Sequence, residues 1–305
     1  MEDILDRNLR GMTEAVRRNE ITSVDLVQGF LDRIEKVNSS LNAVVSINTE
    51  IALKLAAKAD SDLKEGIVHG PLHGIPMTIK DSLDTKDMVT TWGTKGRETF
   101  RPGRDATSVA RLRDAGAILL GKTNTPEFTL SFQTDNLVYG RTNNPYNLEM
   151  TPGGSSGGAA ALIAANAIPF DIGTDTGGSI RLPAHFCGIS GLKPTTGRVP
   201  CTGNALPSSG LIAPLSQVGP LARYVDDLDF LMTIIQGPDL MDPHTVDATE
   251  RPSDDIDVTT LRIGFHTDNG IATPALPIQD AILNAISLLK ANGFKVDEAT
   301  PPGIE

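Results

Sequence analysis

The sequence predicts an α/β fold, a mixed central β-sheet covered by helices on both faces, and three observations lead there. From about residue 71 onward, short apolar runs alternate with stripes of helical period. Several of those runs end in glycine clusters, as strands that feed a helix do. The first 70 residues, by contrast, carry mostly helical periodicity. Strands that alternate with helices bury both faces of a sheet. One domain is expected over 1–305: a helical segment (1–70), an α/β core (71–235), an acidic surface excursion (236–260) and the start of a C-terminal part (261–305).

In chain order, Leu5, Leu9, Met12 and Val16 recur at helix spacing. A second helix opens at Thr22 or Ser23, either of which can cap it, and carries Leu26, Phe30, Ile34 and Val37 on one stripe. A short strand over Ala43 to Ile47 precedes an alanine-rich helix from Thr49 to Lys64. Gly66 to Gly74 is a turn-rich connection. The α/β pattern follows: a strand at Ile75 to Ile79, a capped helix from Asp105 to Ala115, and a strand at Ala117 to Leu120 ending at Gly121. Ala159 to Ala167 reads as helix and Pro169 to Ile172 as a buried strand running into glycines. Val225, Leu228, Leu231, Met232 and Ile235 mark another helix. Gly237 to Thr260 holds seven acids against Arg251, with three prolines, and reads as solvated surface. A strand (Leu261 to Phe265), a helix with Ile278, Ile282, Ile286 and Leu289, a stop at Gly293 and a strand (Phe294 to Val296) complete the chain.

Composition narrows the function. The chain has 305 residues, 39% of them hydrophobic, enough for a large core. Its formal charge of −11 argues against nucleic acid held by a general basic field and leaves room only for a local basic patch. The first residues show neither a basic nor an apolar leader region, and no apolar run reaches membrane-spanning length; Ala159 to Phe170 is short and interrupted by Asn166. A soluble, cytoplasmic protein is expected, with a homodimer left open. The two cysteines, Cys187 and Cys201, make no disulfide framework, and Cys187 is expected to pack as a small hydrophobe. The five histidines are scattered, with no metal-ligand spacing, so neither a metal nor another cofactor is expected.

Three motifs carry chemistry. Lys80 closes the apolar run Gly74-Ile75-Pro76-Met77-Thr78-Ile79-Lys80-Asp81; two serines lie in Gly153-Gly154-Ser155-Ser156-Gly157-Gly158; a third lies in Gly173-Thr174-Asp175-Thr176-Gly177-Gly178-Ser179-Ile180-Arg181. Each alone has a bland reading. A lysine is ordinarily a solvated charge, a glycine-serine tract a linker, and Ser179 a helix N-cap. Phosphate binding fails on detail, because no Gly-Lys-Ser/Thr closes the first tract and no GxGxxG follows a strand. Together, though, the motifs supply a hydroxyl nucleophile, a second hydroxyl, a lysine at a strand end where partial desolvation makes a base, and backbone N–H groups for an oxyanion.

In this order and spacing the motifs resemble the amidase signature family, from the Leu41-Asn42-Ala43 region to about Pro220. The stretches Gly188-Ile189-Ser190-Gly191-Leu192-Lys193-Pro194-Thr195 and Gly197-Arg198-Val199 share in the likeness. The resemblance implies a Ser–cis-Ser–Lys triad. Ser179 would be the nucleophile, Ser155 the proton shuttle after a cis peptide bond, and Lys80 a neutral base hydrogen-bonded to Ser155 and Ser156. Thr176, Gly177 and Gly178, with the N–H of Ser179, would form the oxyanion hole. Asp175 and Arg181 would brace the loop, and Thr129 would line the substrate pocket. His185 stands where the family usually carries a small residue and is expected to pack behind the loop.

The implied activity is hydrolysis of a small-molecule carboxamide to a carboxylate and ammonia or an amine. The alternative is the glutamine-hydrolysing subunit of a tRNA-dependent amidotransferase, which works with partner subunits and RNA. A binding or scaffold relative is a third class, against which the intact Lys80, Ser155 and Ser179 speak. Family members run well beyond Glu305, so a fragment, or a protein whose remainder is a separate piece, is expected.

Overall fold

The computed structural model describes residues 2–206, 210–247 and 257–300. They fall into two compact units, Met1–Ala248 and Thr249–Glu305. In the first, the N-terminal stripe divides into two helices, α1 (Glu2–Leu5) and α2 (Leu9–Arg17). The break is a capping event: Asn8 is extended and its side chain accepts the Gly11 N–H. Helix α3 (Ser23–Leu41) starts at the Thr22 cap and ends where Asn42 turns left-handed. Strand β1 (Val44–Ile47) and helix α4 (Thr49–Lys64) follow as the pattern predicts.

Next come β2 (Pro76–Lys80), α5 (Thr107–Asp114), β3 (Ile118–Thr123), α6 (Gly157–Ala164), β4 (Phe170–Asp175) and α7 (Arg181–Cys187). The first unit closes with β5 (Ser190–Gly191), β6 (Gln217–Ala222) and α8 (Val225–Ile235). The sheet order is β1-β3-β2-β4-β6-β5. The central strand β2 runs parallel to β3 and to β4, and the remaining pairs are antiparallel. Every residue of β2, β3, β4 and β6 is buried, so neither face of these four strands meets water, while the edge strands β1 and β5 are partly exposed. Helix α6, Gly-Gly-Ala-Ala-Ala-Leu-Ile-Ala, is apolar all round and packs on β2, β4 and β6. Parallel β2 and β4 deliver their C-terminal residues, Lys80 and Asp175, to the same edge of the sheet, where α/β folds place ligands.

The structure departs from the sequence reading in several places. Strand β3 continues through Gly121 instead of ending there; a Cβ at Gly121 would lie 2.3 Å from the Ser46 carbonyl oxygen, so the glycine admits β1. Strand β6 has no counterpart in the sequence reading, because Gly219-Pro220 has the composition of a turn. Pairing with β4 along all six residues overrides that local preference. The segment 236–247 is largely exposed, as its composition predicts, but two of its acids are tied to other elements. Asp239 accepts the Thr107 hydroxyl at 2.5 Å, buried Asp242 accepts the Cys201 N–H at 2.8 Å, and Arg111 donates to carbonyls of residues 235–238. Asp239 and Asp242 thus bind neighbouring elements. The remainder of the acidic tract, 248–256, lies outside the described residues.

The second unit holds β7 (Arg262–Phe265), α9 (Leu276–Ala291) and β8 (Lys295–Glu298), with β7 and β8 parallel. Helix α9 stops before Gly293, whose φ of +87° is left-handed, as the predicted stop requires.

A Cβ at Gly219 would lie 2.1 Å from the Leu192 carbonyl oxygen and 2.7 Å from Pro194 Cδ. Gly219→Ala is therefore expected to destabilise the first unit by about 2 kcal/mol, the range of overpacked cores. Urea unfolding checks it; an unchanged midpoint would mean that β6 does not press against this loop.

Candidate active site

Strand β2 is the origin of the site. Its first four residues are fully buried in the sheet, and its last, Lys80, is also without solvent exposure. Lys80 Nζ lies 2.7 Å from Ser155 Oγ, 2.9 Å from Ser156 Oγ and 2.9 Å from Thr174 Oγ1, with the Thr174 carbonyl oxygen at 3.5 Å. Among the described residues no carboxylate makes an ion pair with it. Burial pushes its pKa down to about 7, against the opposing charges of Asp171 and Asp175. An amine with its midpoint near pH 7, hydrogen-bonded to hydroxyls and a carbonyl, has a substantial neutral fraction there, and that form can accept a proton from one of those hydroxyls.

Both serines come from the loop that enters α6. The Gly154–Ser155 peptide bond is cis. Gly154 packs so tightly on the backbone of Ser131–Gln133 that a Cβ would approach to 2.7 Å, which holds the loop in place. Ser156, at the N-cap of α6, donates its N–H to the Ser179 carbonyl at 3.1 Å and so joins this loop to the next.

Ser179 follows β4 on a tight loop leading into α7. Asp175 organises that loop. Its carboxylate accepts the N–H groups of Gly178 (2.8 Å), Ile180 (3.0 Å) and Arg181 (3.3 Å), and the Arg181 guanidinium grips both its oxygens at 2.9 and 3.0 Å. Burial alone would raise the Asp175 pKa, but Arg181 and these N–H groups outweigh it and hold the carboxyl at about 2. This corrects one expectation: the Gly178 N–H is engaged by Asp175 and is not free for an oxyanion. Thr176, Gly177 and Ser179 offer N–H groups with no backbone or side-chain acceptor among the described residues. Ser179 as a residue is 7% exposed, and its hydroxyl likewise makes no hydrogen bond to a described residue.

Other sequence candidates fall further out. Thr129 is buried in a short 3-10 turn, and its N–H bonds to the Pro126 carbonyl; no hydrogen bond links it to Lys80 or the serines. His185 is exposed on α7 beside Phe186 and does not pack behind the loop, because its helix turns that face to solvent. Cys187 is buried, its thiol pushed up to about 12 by burial, and behaves as a small core residue.

Three residues were missed by the sequence reading. Thr174 completes the hydroxyl set around Lys80. Asp171 accepts the Lys80 N–H at 3.0 Å, the Thr78 hydroxyl at 2.6 Å and the Thr123 hydroxyl at 2.9 Å. Lys122, a second buried lysine, contacts the Leu83 carbonyl, Thr85 and Thr90, with Asp81 Oδ1 at 3.6 Å. The available signal was a charge inside an apolar strand: Phe170-Asp171-Ile172 and Gly121-Lys122-Thr123.

With this geometry in hand, the likeness to known proteins is informative. A family profile described as Amidase matches residues 25–305. A glutamyl-tRNA(Gln) amidotransferase subunit from Roseiflexus sp. (strain RS-1) is 42% identical over 295 residues, covering 95% of this chain and 59% of that protein. The corresponding subunit from Carboxydothermus hydrogenoformans is 39% identical over 298 residues, 95% of this chain and 60% of that one. Among solved structures, a fatty acid amide hydrolase superposes with a TM-score of 0.93 at 29% identity, covering 99% of this chain and 54% of that one. A peptide amidase bound to the inhibitor chymostatin gives 0.86 at 35% identity, covering 97% and 62%. The chain thus spans about three fifths of the length of the curated relatives it matches.

Asp175 also predicts an acid sensitivity. Its carboxyl sits at about 2 in the fold against an ordinary 3.8, so its stabilisation is present above pH 4 and is lost as pH falls towards 2. Asp175→Asn is expected to lower stability at neutral pH by about 2 kcal/mol and to flatten the pH dependence between 4 and 2. Denaturant unfolding across that window checks it; an identical acid profile in wild type and variant would refute it.

Proposed function

Because this chain belongs to the amidase family, we propose that it cleaves the C–N bond of a carboxamide through an acyl-enzyme on Ser179. The observation that carries this reading is the 2.7 Å contact between Ser155 Oγ and a fully buried Lys80 Nζ. Neutral Lys80 takes the Ser155 proton while Ser155 takes that of Ser179, whose oxygen attacks the carbonyl carbon. The resulting oxyanion is met by the free N–H groups of Thr176, Gly177 and Ser179; one such donor in acyl transfer contributes about 3–4 kcal/mol. As the C–N bond breaks, the proton returns from Lys80 through Ser155 to the departing nitrogen, which amides require because an amide anion is a poor leaving group. Water then attacks the ester through the same relay, releasing the carboxylate and restoring Ser179.

Within this chemistry, the curated relatives support the reading as the glutamine-hydrolysing subunit of a tRNA-dependent amidotransferase. The carboxamide would then be the glutamine side chain, and the ammonia would pass to a partner subunit, with partner subunits supplying RNA contacts. The second reading is a free-standing amidase, favoured by the fatty acid amide hydrolase and peptide amidase likeness. In it, Thr129 and the exposed Phe132, whose ring lies 4.0 Å from where a Gly177 Cβ would stand, are pocket-lining candidates.

Ammonia release from glutamine, with and without partner subunits and charged tRNA, separates the two when run beside a panel of aliphatic, aromatic and amino-acid amides. Ser179→Ala is expected to lose at least about 10⁴-fold in kcat/KM and all labelling by a fluorophosphonate probe, and Lys80→Met to lose a comparable factor. The neutral amine is the working form, so activity should rise with pH through about 7. Retained turnover in Ser179→Ala would end the proposal.

A further inference from the structure

We infer that Asp171 is a positioning residue for Lys80: its carboxylate ties the end of β2 to β3 and β4 and sets the charge that the buried amine faces. This rests on the reading of Lys80 as the base. A carboxylate in the middle of a fully buried strand is costly unless satisfied. Asp171 has its acceptors filled by the Lys80 N–H and the hydroxyls of Thr78 and Thr123, one partner from the lysine itself and one hydroxyl from each of β2 and β3. None of these donors is a cation, so Asp171 is not consumed in an ion pair, and its charge acts on both buried lysines, Lys80 and Lys122.

The surroundings of Lys80 can be enumerated. From β4 it faces Asp171 and Asp175, the latter held by Arg181 of α7. On β3 the nearest charge is Lys122, paired with Asp81. Helix α6 and strand β6 bring no titratable side chain. Asp175 is neutralised by a guanidinium, which leaves Asp171 as the anion whose charge is not offset by an arginine. Desolvation without it would push Lys80 so far down that the amine, although always neutral, would be a weak base. Burial raises Asp171 to about 6, while the Thr78 and Thr123 hydroxyls and the Lys80 N–H favour its ionised form. A base matched to neutral pH is the more effective proton acceptor.

The test reads Lys80 directly. In the full chain carrying 13Cε-lysine, with the Lys80 resonance assigned by its loss in Lys80→Arg, Asp171→Asn is expected to lower the Lys80 titration midpoint by about one pH unit or more. Asp171→Glu, which keeps the charge, should recover part of that shift. Should Asp171→Asn fail to fold, Thr123→Val serves. It removes one hydrogen bond to the carboxylate, favours protonated Asp171 and should move the Lys80 midpoint in the same direction. The pH dependence of fluorophosphonate labelling at Ser179 should follow, its acid limb moving to lower pH and its alkaline plateau falling. A Lys80 midpoint unmoved in Asp171→Asn, or in Thr123→Val where that variant stands in, overturns the inference. Failure of wild-type Ser179 to label would instead overturn the amidase reading, while the NMR midpoint still decides the part played by Asp171.

Discussion

The rest of the site depends on a lysine amine buried among hydroxyls, with no ion-paired carboxylate among the described residues. Water is excluded from Lys80, and three hydroxyls and a carbonyl are what remain to solvate it. Hydroxyls accept from an ammonium or donate to a neutral amine with equal ease, so they leave the protonation state to the balance of burial and more distant charge. Lys122 makes the contrast. It lies on the neighbouring strand, opposite Ile79, and is equally buried, but Asp81 stands 3.6 Å from it and backbone and threonine oxygens fill its other bonds. Two lysines one register step apart thus have different work: Lys122 clamps the loop after β2, and Lys80 is equipped to exchange a proton.

The sheet makes this arrangement available. Parallel β2 and β4 end at one edge, so their last residues and the loops that follow share a single locus. A helix of mostly small side chains then brings the Ser155–Ser156 loop within hydrogen-bond reach of Lys80. The Ser156 N–H bond to the Ser179 carbonyl couples the two serine loops, and the Asp175–Arg181 pair shapes the second. Each loop is held by backbone hydrogen bonds or close backbone packing, which is how a site keeps its geometry without long flexible side chains.

Legibility differed by element for physical reasons. The start of α3 was readable because the Thr22 cap and the apolar stripe agree, and both ends of α4 were readable from its alanine-rich run. Strand β2 was readable to within a residue as an apolar run, while β4 was readable only in its first part, since the apolar run stops at Ile172 and pairing carries the strand on to Asp175. Strand β6 was not, since Gly219-Pro220 looks locally like a turn and becomes strand only through pairing with β4. The bonds of Asp239 and Asp242 to distant elements were hidden too, because an acid that accepts a remote N–H or hydroxyl has the same composition as a solvated one.

From the chain alone came the inventory: an amine at a strand end, serines framed by glycines, their order and their spacing. Those are local properties, encoded in residues close together. What only the folded molecule decided was charge and access. Lys80 has its midpoint brought down to about 7 because water is absent and its anions stand at a distance; the Gly178 N–H is taken because Asp175 turns back towards it; and Asp171 bridges three strands that lie far apart in sequence. Desolvation and charge act through space, and a linear pattern of residues carries no measure of it.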